Sequence, residues 1–155
     1  MSKQSKMTVG DIYEIRLPDK RWAYAQYLQH NDQLGYLIRV LDCVLDEPVA
    51  NAAELTGAGD LFPPVFVGLL ATVRSGRWKL IGNLAVENFS FPRFRNTIGT
   101  KPGVYHDWHI WDGVKSVRIG DLPAELRALE LEQVWGDEGL EERIVAGTYR
   151  GDRMF

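Results

Sequence analysis

The amino-acid sequence predicts an α+β fold: a single domain with a curved, mainly antiparallel sheet that forms a partial barrel, and two short C-terminal helices. Two observations lead to this prediction. Hydrophobic and polar residues alternate in short segments up to residue 119, with turn residues between them, as in half-buried strands. After residue 120 the pattern changes to candidate helix caps followed by leucines at helical spacing.

The first three strands are predicted as an antiparallel meander in residues 10–43. In the first of them, Ile12 and Glu14 alternate with the residues of the opposite face. The strands are expected at residues 10–17, 21–29 and 34–43, with turns at 18–20 and 30–33. Three consecutive antiparallel strands suggest a sheet that curls into a small barrel or half-barrel.

The middle of the chain is less regular. Residues 46–62 are rich in small and acidic residues, and we expect either a short helix or an irregular excursion near residues 51–56. Residues 65–73 are apolar enough for a buried strand, although their periodicity is also compatible with a helical turn. A further strand, an ordered aromatic loop and an exposed loop are expected at residues 77–82, 83–95 and 96–103.

The segment VYHDWHIWDG, residues 104–113, is an unusual strand candidate. At the period of a strand, Tyr105, Asp107, His109 and Trp111 share one face, and His106, Trp108, Ile110 and Asp112 share the other. Neither face is purely apolar. Either both faces are covered and the polar groups find partners inside, or one face is a site. Asp112 and Gly113 then give a hairpin signal before a strand at residues 114–119.

Two helices are expected near the C-terminal end. The first begins at the candidate N-cap Asp121, carries a stripe of leucines, and ends near Leu129 or Leu131. The second begins at the candidate cap Asp137 and is stopped by Gly147. An extended segment at residues 131–135 is expected between them.

Length and composition indicate a globular chain that is long enough to bury a core. It has 155 residues, of which 45% are hydrophobic and 25% charged. Its start is polar, no apolar run approaches the roughly 18 residues of a membrane span, and Cys43 is the single cysteine. We therefore expect a cytoplasmic protein with no membrane partner, a flexible lead-in at residues 1–9 and one domain at residues 10–150.

Charge is distributed unevenly along the chain. Residues 74–101 contain six Lys or Arg and one acid, whereas residues 121–142 contain eight acids and one Arg. Such asymmetry affects partner choice and association rate more than it affects the fold. The acidic segment is either a solvated surface or a docking surface for a basic partner, and the pattern leaves both open.

The residue pattern contains no recognisable catalytic or metal-binding set. Asp107 and His109 share a strand face but provide only two ligands, and His106 faces the other way. Cys43 lies in an apolar strand and is expected to be a small core residue. The serines lack a glycine-rich elbow and the glycines do not form a phosphate loop. We therefore predict no metal, no cofactor and no enzyme activity, with catalysis through His106 or His109 as an alternative.

The basic middle of the chain supports another alternative. It carries the aromatic residues Trp78, Phe89, Phe91 and Phe94. Cations interleaved with aromatics suit single-stranded nucleic acid, so residues 74–101 would form the contact surface of a small β-barrel nucleic-acid-binding module. Against this, the aromatics alternate as core residues do, and the net charge is −3.

Six sequence blocks, taken in their order and spacing, carry a resemblance to a known family. They are residues 10–15 with the Ala23-Tyr24 hairpin, LFPPVF at 61–66, RSGRWKLIG at 74–82, residues 86–94 with Phe-x-Phe-Pro, residues 103–112, and LEERI at 140–144. Together they resemble the immunity protein 26 family of bacterial polymorphic toxin systems. The resemblance covers nearly the whole chain, and only residues 45–58 have no counterpart in it.

The resemblance implies a cytosolic protector encoded beside a toxin, which binds the toxin domain and blocks its active site or substrate surface. Such toxins are often nucleases with a basic cleft, for which an acidic surface competes. The family supplies no contact residues, so we infer them from charge and composition. We expect contacts first from Asp137, Glu138, Glu141 and Glu142, and second from Trp108, His109 and Trp111. Self-association is left open.

Overall fold

Two open β-sheets and two helices make up the part of the chain that the structure, a computed structural model, describes: residues 6–97 and 107–147. The elements in chain order are β1 (Asp11–Arg16), β2 (Trp22–Asn31), β3 (Gly35–Val40), β4 (Val65–Val67), α1 (Leu69–Arg74), β5 (Trp78–Asn83), β6 (Phe94–Thr97), β7 (Trp108–Trp111), β8 (Ser116–Gly120), β9 (Glu130–Leu131), β10 (Val134–Trp135) and α2 (Asp137–Ala146). The predicted α+β class is confirmed, with open sheets and no closed barrel among these residues.

The larger sheet is built around the predicted meander of β1, β2 and β3. Its strand order is β10-β4-β3-β2-β1-β5. The alternation of side chains fixes the register of the first hairpin, where Tyr13 lies opposite Ala25 and Ile15 opposite Ala23. β5 and β4 extend the meander on its two sides as antiparallel neighbours, and β10 adds a short parallel pair to β4.

The smaller sheet has the order β8-β7-β6-β9 and contains the unusual strand candidate as β7. In the turn between β7 and β8, the side chain of Asp112 accepts hydrogen bonds from the backbone N–H groups of Val114 and Lys115, both at 2.9 Å. β6 is antiparallel to β7, with Phe94 opposite Trp111, and parallel to β9. The sequence predicted one sheet, whereas the described residues form two.

One face of the larger sheet packs under α2. Because side chains alternate across a strand, Ile15, Ala23 and Ile38 all lie on this face. The helix contributes Leu140 and Ile144 to the same buried cluster. Burial of such side chains at roughly 25 cal/mol per Å² of apolar area is the main term that holds helix and sheet together.

The opposite face of the larger sheet is covered by two separate clusters. The cluster near β1 contains Ile12 and Tyr24 together with Ala52 and Leu55 from the excursion between β3 and β4. The cluster near β4 joins the two sheets, and its buried members are Leu28, Leu37, Phe66, Phe94 and Trp111. The smaller sheet is therefore held to the larger one by aromatic packing.

The excursion between β3 and β4 contains a short helix near residues 51–56, which was one of the two structures considered for that segment. It is a 3-10 turn at Ala52–Leu55, and the side chain of Asn51 caps it by accepting the N–H of Ala53 at 3.0 Å. Gly82 of β5 makes room for this turn, since a Cβ at that position would lie 2.8 Å from the Cβ of Ala52.

Several predicted elements differ from the structure. The strand β6 (Phe94–Thr97) lies where loops were predicted at residues 83–95 and 96–103. In place of the first C-terminal helix there is only a 3-10 turn at Ala124–Leu126, in which no residue is buried. A leucine stripe stabilises a helix only if it packs against another surface, and the structure provides none for this one. Residues 65–73 contain both of the structures considered for them, a strand and a helical segment. The strand β4 ends at Val67, and the helix α1 begins at Leu69.

The second C-terminal helix, α2, is confirmed, although its N-cap is Gly136 and not Asp137. The side chain of Asp137 accepts the N–H of Glu138 at 2.8 Å. Gly147 ends the helix with a φ of 70°, a left-handed conformation that glycine adopts without strain.

Some expectations concern residues beyond those described. They are the lead-in at residues 1–5, the loop and strand start at residues 98–106, which include Tyr105 and His106, and the end of the domain at 148–150. Among the described residues, none of the helices has the length and apolar character needed to cross a membrane.

Candidate functional site

Glu141 lies at the centre of the predicted acidic contacts, and it is buried with 1% of its surface exposed. Its carboxylate accepts hydrogen bonds from Nε of Arg77 at 2.6 Å, from Nη2 of Arg77 at 3.2 Å, and from Nε1 of Trp78 at 3.3 Å. A buried carboxylate is tolerated when charge-assisted donors surround it in this way. Glu141 therefore fastens α2 to the start of β5 and presents no free charge to a partner.

Asp137 and Glu138, in the first turn of α2, face the same arginine. Oδ2 of Asp137 lies 3.7 Å from Nε of Arg77 and accepts the hydroxyl of Thr72 at 3.3 Å, and Oε1 of Glu138 lies 3.4 Å from Nη1 of Arg77. The hydrogen bond to Glu141, followed by the attraction of the three carboxylates, raises the pKa of Arg77. Much of the acidity of α2 is thus neutralised within the protein.

The carboxylates that α2 presents to solvent are those of Glu138 and Glu142. The side chain of Glu138 is 78% exposed, and Glu142 is also exposed. Asp137 is half-buried. Of the four predicted acidic contacts, two are therefore exposed to a partner in this conformation, and one of these, Glu138, also contacts Arg77.

The two tryptophans predicted as contacts are core residues. Trp108 is 2% exposed and Trp111 is 6% exposed. The indole of Trp111 lies in an aromatic cluster, with ring centroids 5.9 Å from Phe66, 5.5 Å from Phe91 and 5.6 Å from Phe94. Both faces of β7 are therefore covered at Trp108 and Trp111. The sequence had left open whether both faces of this strand are covered or one face is a site.

His109 is half-buried in the smaller sheet opposite Asn96, and its Nδ1 atom is buried without a hydrogen bond to a described residue. Asn96 donates a hydrogen bond of 3.2 Å to Glu132 of the neighbouring segment. Burial raises the pKa of Glu132, while the bond from Asn96 and the attraction of His109 oppose that change. These residues form a small polar cluster at the edge of the core.

The basic and aromatic middle of the chain does not form an exposed platform for bases. Trp78 and Phe94 are each 1% exposed, and Phe89 and Phe91 pack against the cluster that joins the sheets. Arg77 is engaged by α2, and Arg95 is buried. Stacking of single-stranded nucleic acid requires accessible ring faces, so this arrangement does not favour the nucleic-acid alternative. Within the described residues, no three His, Cys, Asp or Glu are grouped so that they could hold a metal ion.

A second buried ion pair, between Glu130 and Arg143, joins β9 to α2. Nη1 and Nη2 of Arg143 donate to the two carboxylate oxygens of Glu130 at 2.5 and 3.0 Å. The guanidinium also lies 3.9 Å from the ring centroid of Phe62 and 5.4 Å from that of Trp135. Both carboxylates that hold α2 in place thus come from the segment that the sequence marked as a possible acidic surface.

A polar group that the sequence analysis did not select lies on the larger sheet between the two covering clusters. Gln26, which is 1% exposed, accepts a hydrogen bond of 2.7 Å from Nε of Arg39 and donates one of 2.9 Å to the carbonyl of Leu84. Nη1 of Arg39 donates to the carbonyl of Ala58 and to Asp60, both at 2.9 Å. Gln26 and Arg39 are opposite in the β2–β3 register. The sequence signal that could have located this group was a pair of polar residues at facing positions on two predicted strands, on a face that is otherwise apolar.

Arg39 forms part of the floor of a cleft, which we call the Arg39 cleft. Its walls come from residues 55–60 of the excursion and from residues 84–90, which follow β5. None of the predicted contact residues lines it. The cleft lies on the face of the larger sheet that is opposite α2, because Gln26 and Arg39 alternate with the residues under the helix.

Comparison with known proteins identifies one family. The family model for immunity protein 26 matches residues 8–103, which is more than half of the chain and contains β1 to β6. No curated protein and no solved structure matches the chain. The matched range includes both walls of the Arg39 cleft, and it ends before β7 and α2. On the strength of this match, the chain belongs to the immunity protein 26 family.

Proposed function

We propose that this protein is the immunity partner of a toxin from a polymorphic toxin system, and that it neutralises the toxin by stoichiometric binding. Membership of the immunity protein 26 family carries the proposal. The protein would act in the cytoplasm of the producing cell, without catalysis, and would cover the active site or the substrate surface of its toxin.

We further propose that the toxin is a nuclease with a basic cleft. Two exposed carboxylates on α2, those of Glu138 and Glu142, support this choice of partner. Opposite charges on two surfaces accelerate encounter and favour the correct orientation. Asp137 is placed to add to the same surface, whereas Glu141 supports it from beneath through Arg77.

The second set of predicted contacts, Trp108, His109 and Trp111, contributes less to the proposed interface than the acidic residues of α2. Trp108 and Trp111 are buried, so they would shape the surface near β7 without forming most of it. His109 is partly accessible and is the member of that set best placed to touch a partner. The acidic residues of α2 therefore remain the first choice.

Co-expression tests the proposal directly. Cells that make the toxin domain encoded beside this chain should survive when this protein is also made, and the two proteins should co-purify in a 1:1 complex. Continued killing, despite good expression of both proteins, would contradict the proposed function.

Charge reversal tests the surface. Glu138→Lys with Glu142→Lys should slow association with the toxin domain at low salt, and the difference should shrink as salt is added. Glu125→Lys with Glu47→Lys, which reverses two exposed acids outside α2 and changes the net charge equally, is the matched control. An unchanged association rate in the α2 double variant would remove α2 from the interface.

A further inference from the structure

The Arg39 cleft is a shaped surface that the proposed contacts on α2 leave unused. It consists of two depressions of about 380 and 160 Å³, and Arg39, Glu87 and Asn88 line both of them. The larger one has the volume of a modest ligand site. An extended polypeptide, whose successive side chains point in different directions, can occupy two adjoining depressions at once.

Arg39 is positioned in this cleft with part of its hydrogen-bonding capacity unused. Nε and Nη1 are bound by Gln26, Ala58 and Asp60, so the guanidinium has little freedom to turn. Nη2 makes no hydrogen bond to any residue in the described part of the chain. The side chain is 22% exposed, which leaves this amino group accessible to an acceptor. A backbone carbonyl of a bound segment is such an acceptor.

The charge around the cleft indicates which kind of extended polypeptide segment would bind there. Asp60 is paired with Arg39, whereas Glu87 is exposed and forms no ion pair with another described residue. The excursion that supplies one wall, residues 41–64, contains five acids and no Lys, Arg or His, and of these acids Asp60 lines the cleft itself. A segment that carries Lys or Arg would therefore be attracted to the cleft, and an acidic segment would be repelled.

We propose that the Arg39 cleft receives an extended, basic segment of the cognate toxin. The inference rests on the proposed function and adds a second contact surface to it. A backbone carbonyl of the segment accepts from Nη2 of Arg39, and a basic side chain pairs with Glu87. Both walls lie within the range that the family model matches, whereas α2 lies outside that range. The cleft is thus a contact surface built from residues inside the matched range.

Variants that alter the cleft without touching the Arg39 ion pair test the inference. Ala85 and Glu87 both line the cleft and are exposed, so Ala85→Trp fills the larger depression and Glu87→Arg reverses its free charge. Ala128→Trp and Glu47→Arg are matched changes at exposed positions that do not line it. Affinity for a catalytically inactive toxin domain is measured by calorimetry, with circular dichroism as the check on folding.

We expect each cleft variant to weaken binding at least about tenfold and each control to change it less than about twofold. Amide exchange in residues 55–60 and 84–90 should also slow when the toxin domain is added. Unchanged affinity in folded Ala85→Trp and Glu87→Arg would overturn the cleft assignment, while binding by the unaltered protein would still support the proposed function. If the unaltered protein binds no toxin domain, both proposals fail. Self-association that Ala85→Trp abolishes, with toxin affinity unchanged, would assign the cleft to a second copy and overturn the inference.

Discussion

The guanidinium of Arg77 and the carboxylate of Glu141, 64 positions apart in the sequence, are joined by two hydrogen bonds of 2.6 and 3.2 Å. The pair fastens α2 to the strand at the edge of the larger sheet. It also removes one carboxylate from the surface that the chain offers to a partner. The acidic segment is therefore both a structural fastening and a partly exposed surface.

Removal of the Glu141 side chain should destabilise the protein. Glu141→Ala leaves Nε1 of Trp78 without its acceptor and leaves Arg77 without its closest partner. Since Arg77 is 37% exposed, water can compensate in part, and we expect a loss of about 1–3 kcal/mol in the free energy of unfolding. Urea unfolding measures it. Glu142→Ala, the neighbouring exposed position, should change stability by no more than about 0.5 kcal/mol. Equal effects of the two substitutions would contradict this account.

The Glu130–Arg143 pair should matter more, because both of its partners are buried. Their side chains are 5% and 7% exposed, so removing either leaves a charge that water cannot reach. We expect Glu130→Ala or Arg143→Ala to cost about 3–5 kcal/mol in the free energy of unfolding. The double variant Glu130→Leu with Arg143→Met should be less destabilised than the sum of the single variants, since no unpaired charge remains. Additive losses in urea unfolding would show that the two residues act independently.

Glu132 should make stability depend on pH. Burial raises the pKa of its carboxyl in the folded protein above the ordinary value of 4.5. Below that value the carboxyl is protonated in both states. As pH rises, the unfolded chain releases its proton first, so stability falls until pH has passed the raised folded value. Glu132→Gln should therefore raise the melting temperature at pH 7 and leave it unchanged at about pH 3.5.

The matched control for this pH dependence is Glu125→Gln at an exposed position. It should leave the melting temperature unchanged at both pH values. A Glu132→Gln variant whose melting temperature is equal to that of the unaltered protein at both pH values would show that Glu132 is ionised at no cost in the folded state.

Gln26 should be indispensable for the geometry of the Arg39 cleft. Gln26→Leu removes the acceptor of Arg39 Nε and the donor to the carbonyl of Leu84, and the side chain of Gln26 that makes both bonds is buried. We expect a loss of about 2–3 kcal/mol in the free energy of unfolding. Gln29→Leu changes an exposed residue of the same strand and should be nearly neutral. A stable Gln26→Leu variant would mean that Arg39 and Leu84 find other partners.

Strands and turns that depend on neighbouring residues were predictable. The meander at residues 10–43 follows from alternation, and the 3-10 turn lies where the change of composition indicated a short helix or an irregular excursion. The end of α2 at Gly147 follows from a local conformational need. The predicted first C-terminal helix failed for the opposite reason. Its leucines have the right spacing, but a helix of that length needs a surface to pack on, and spacing cannot reveal whether one is present.

The candidate site was predictable only in part. Composition located the acidic residues of α2, and the exposed Glu138 and Glu142 remain candidates. It could not tell that Glu141 is buried under Arg77, nor that Trp108 and Trp111 face the core on both sides of β7. The Arg39 cleft was missed, because its floor and its two walls come from segments far apart in the sequence.

The sequence alone determined the class of fold, the positions of most strands and the family resemblance, because each of these is encoded in the order and spacing of neighbouring residues. Only the tertiary structure decided which charged side chains are paired inside the protein and which are exposed to solvent. The physical reason is that a carboxylate is neutralised by whatever lies within a few ångströms of it, and for Glu141 that neighbour is 64 residues away along the chain.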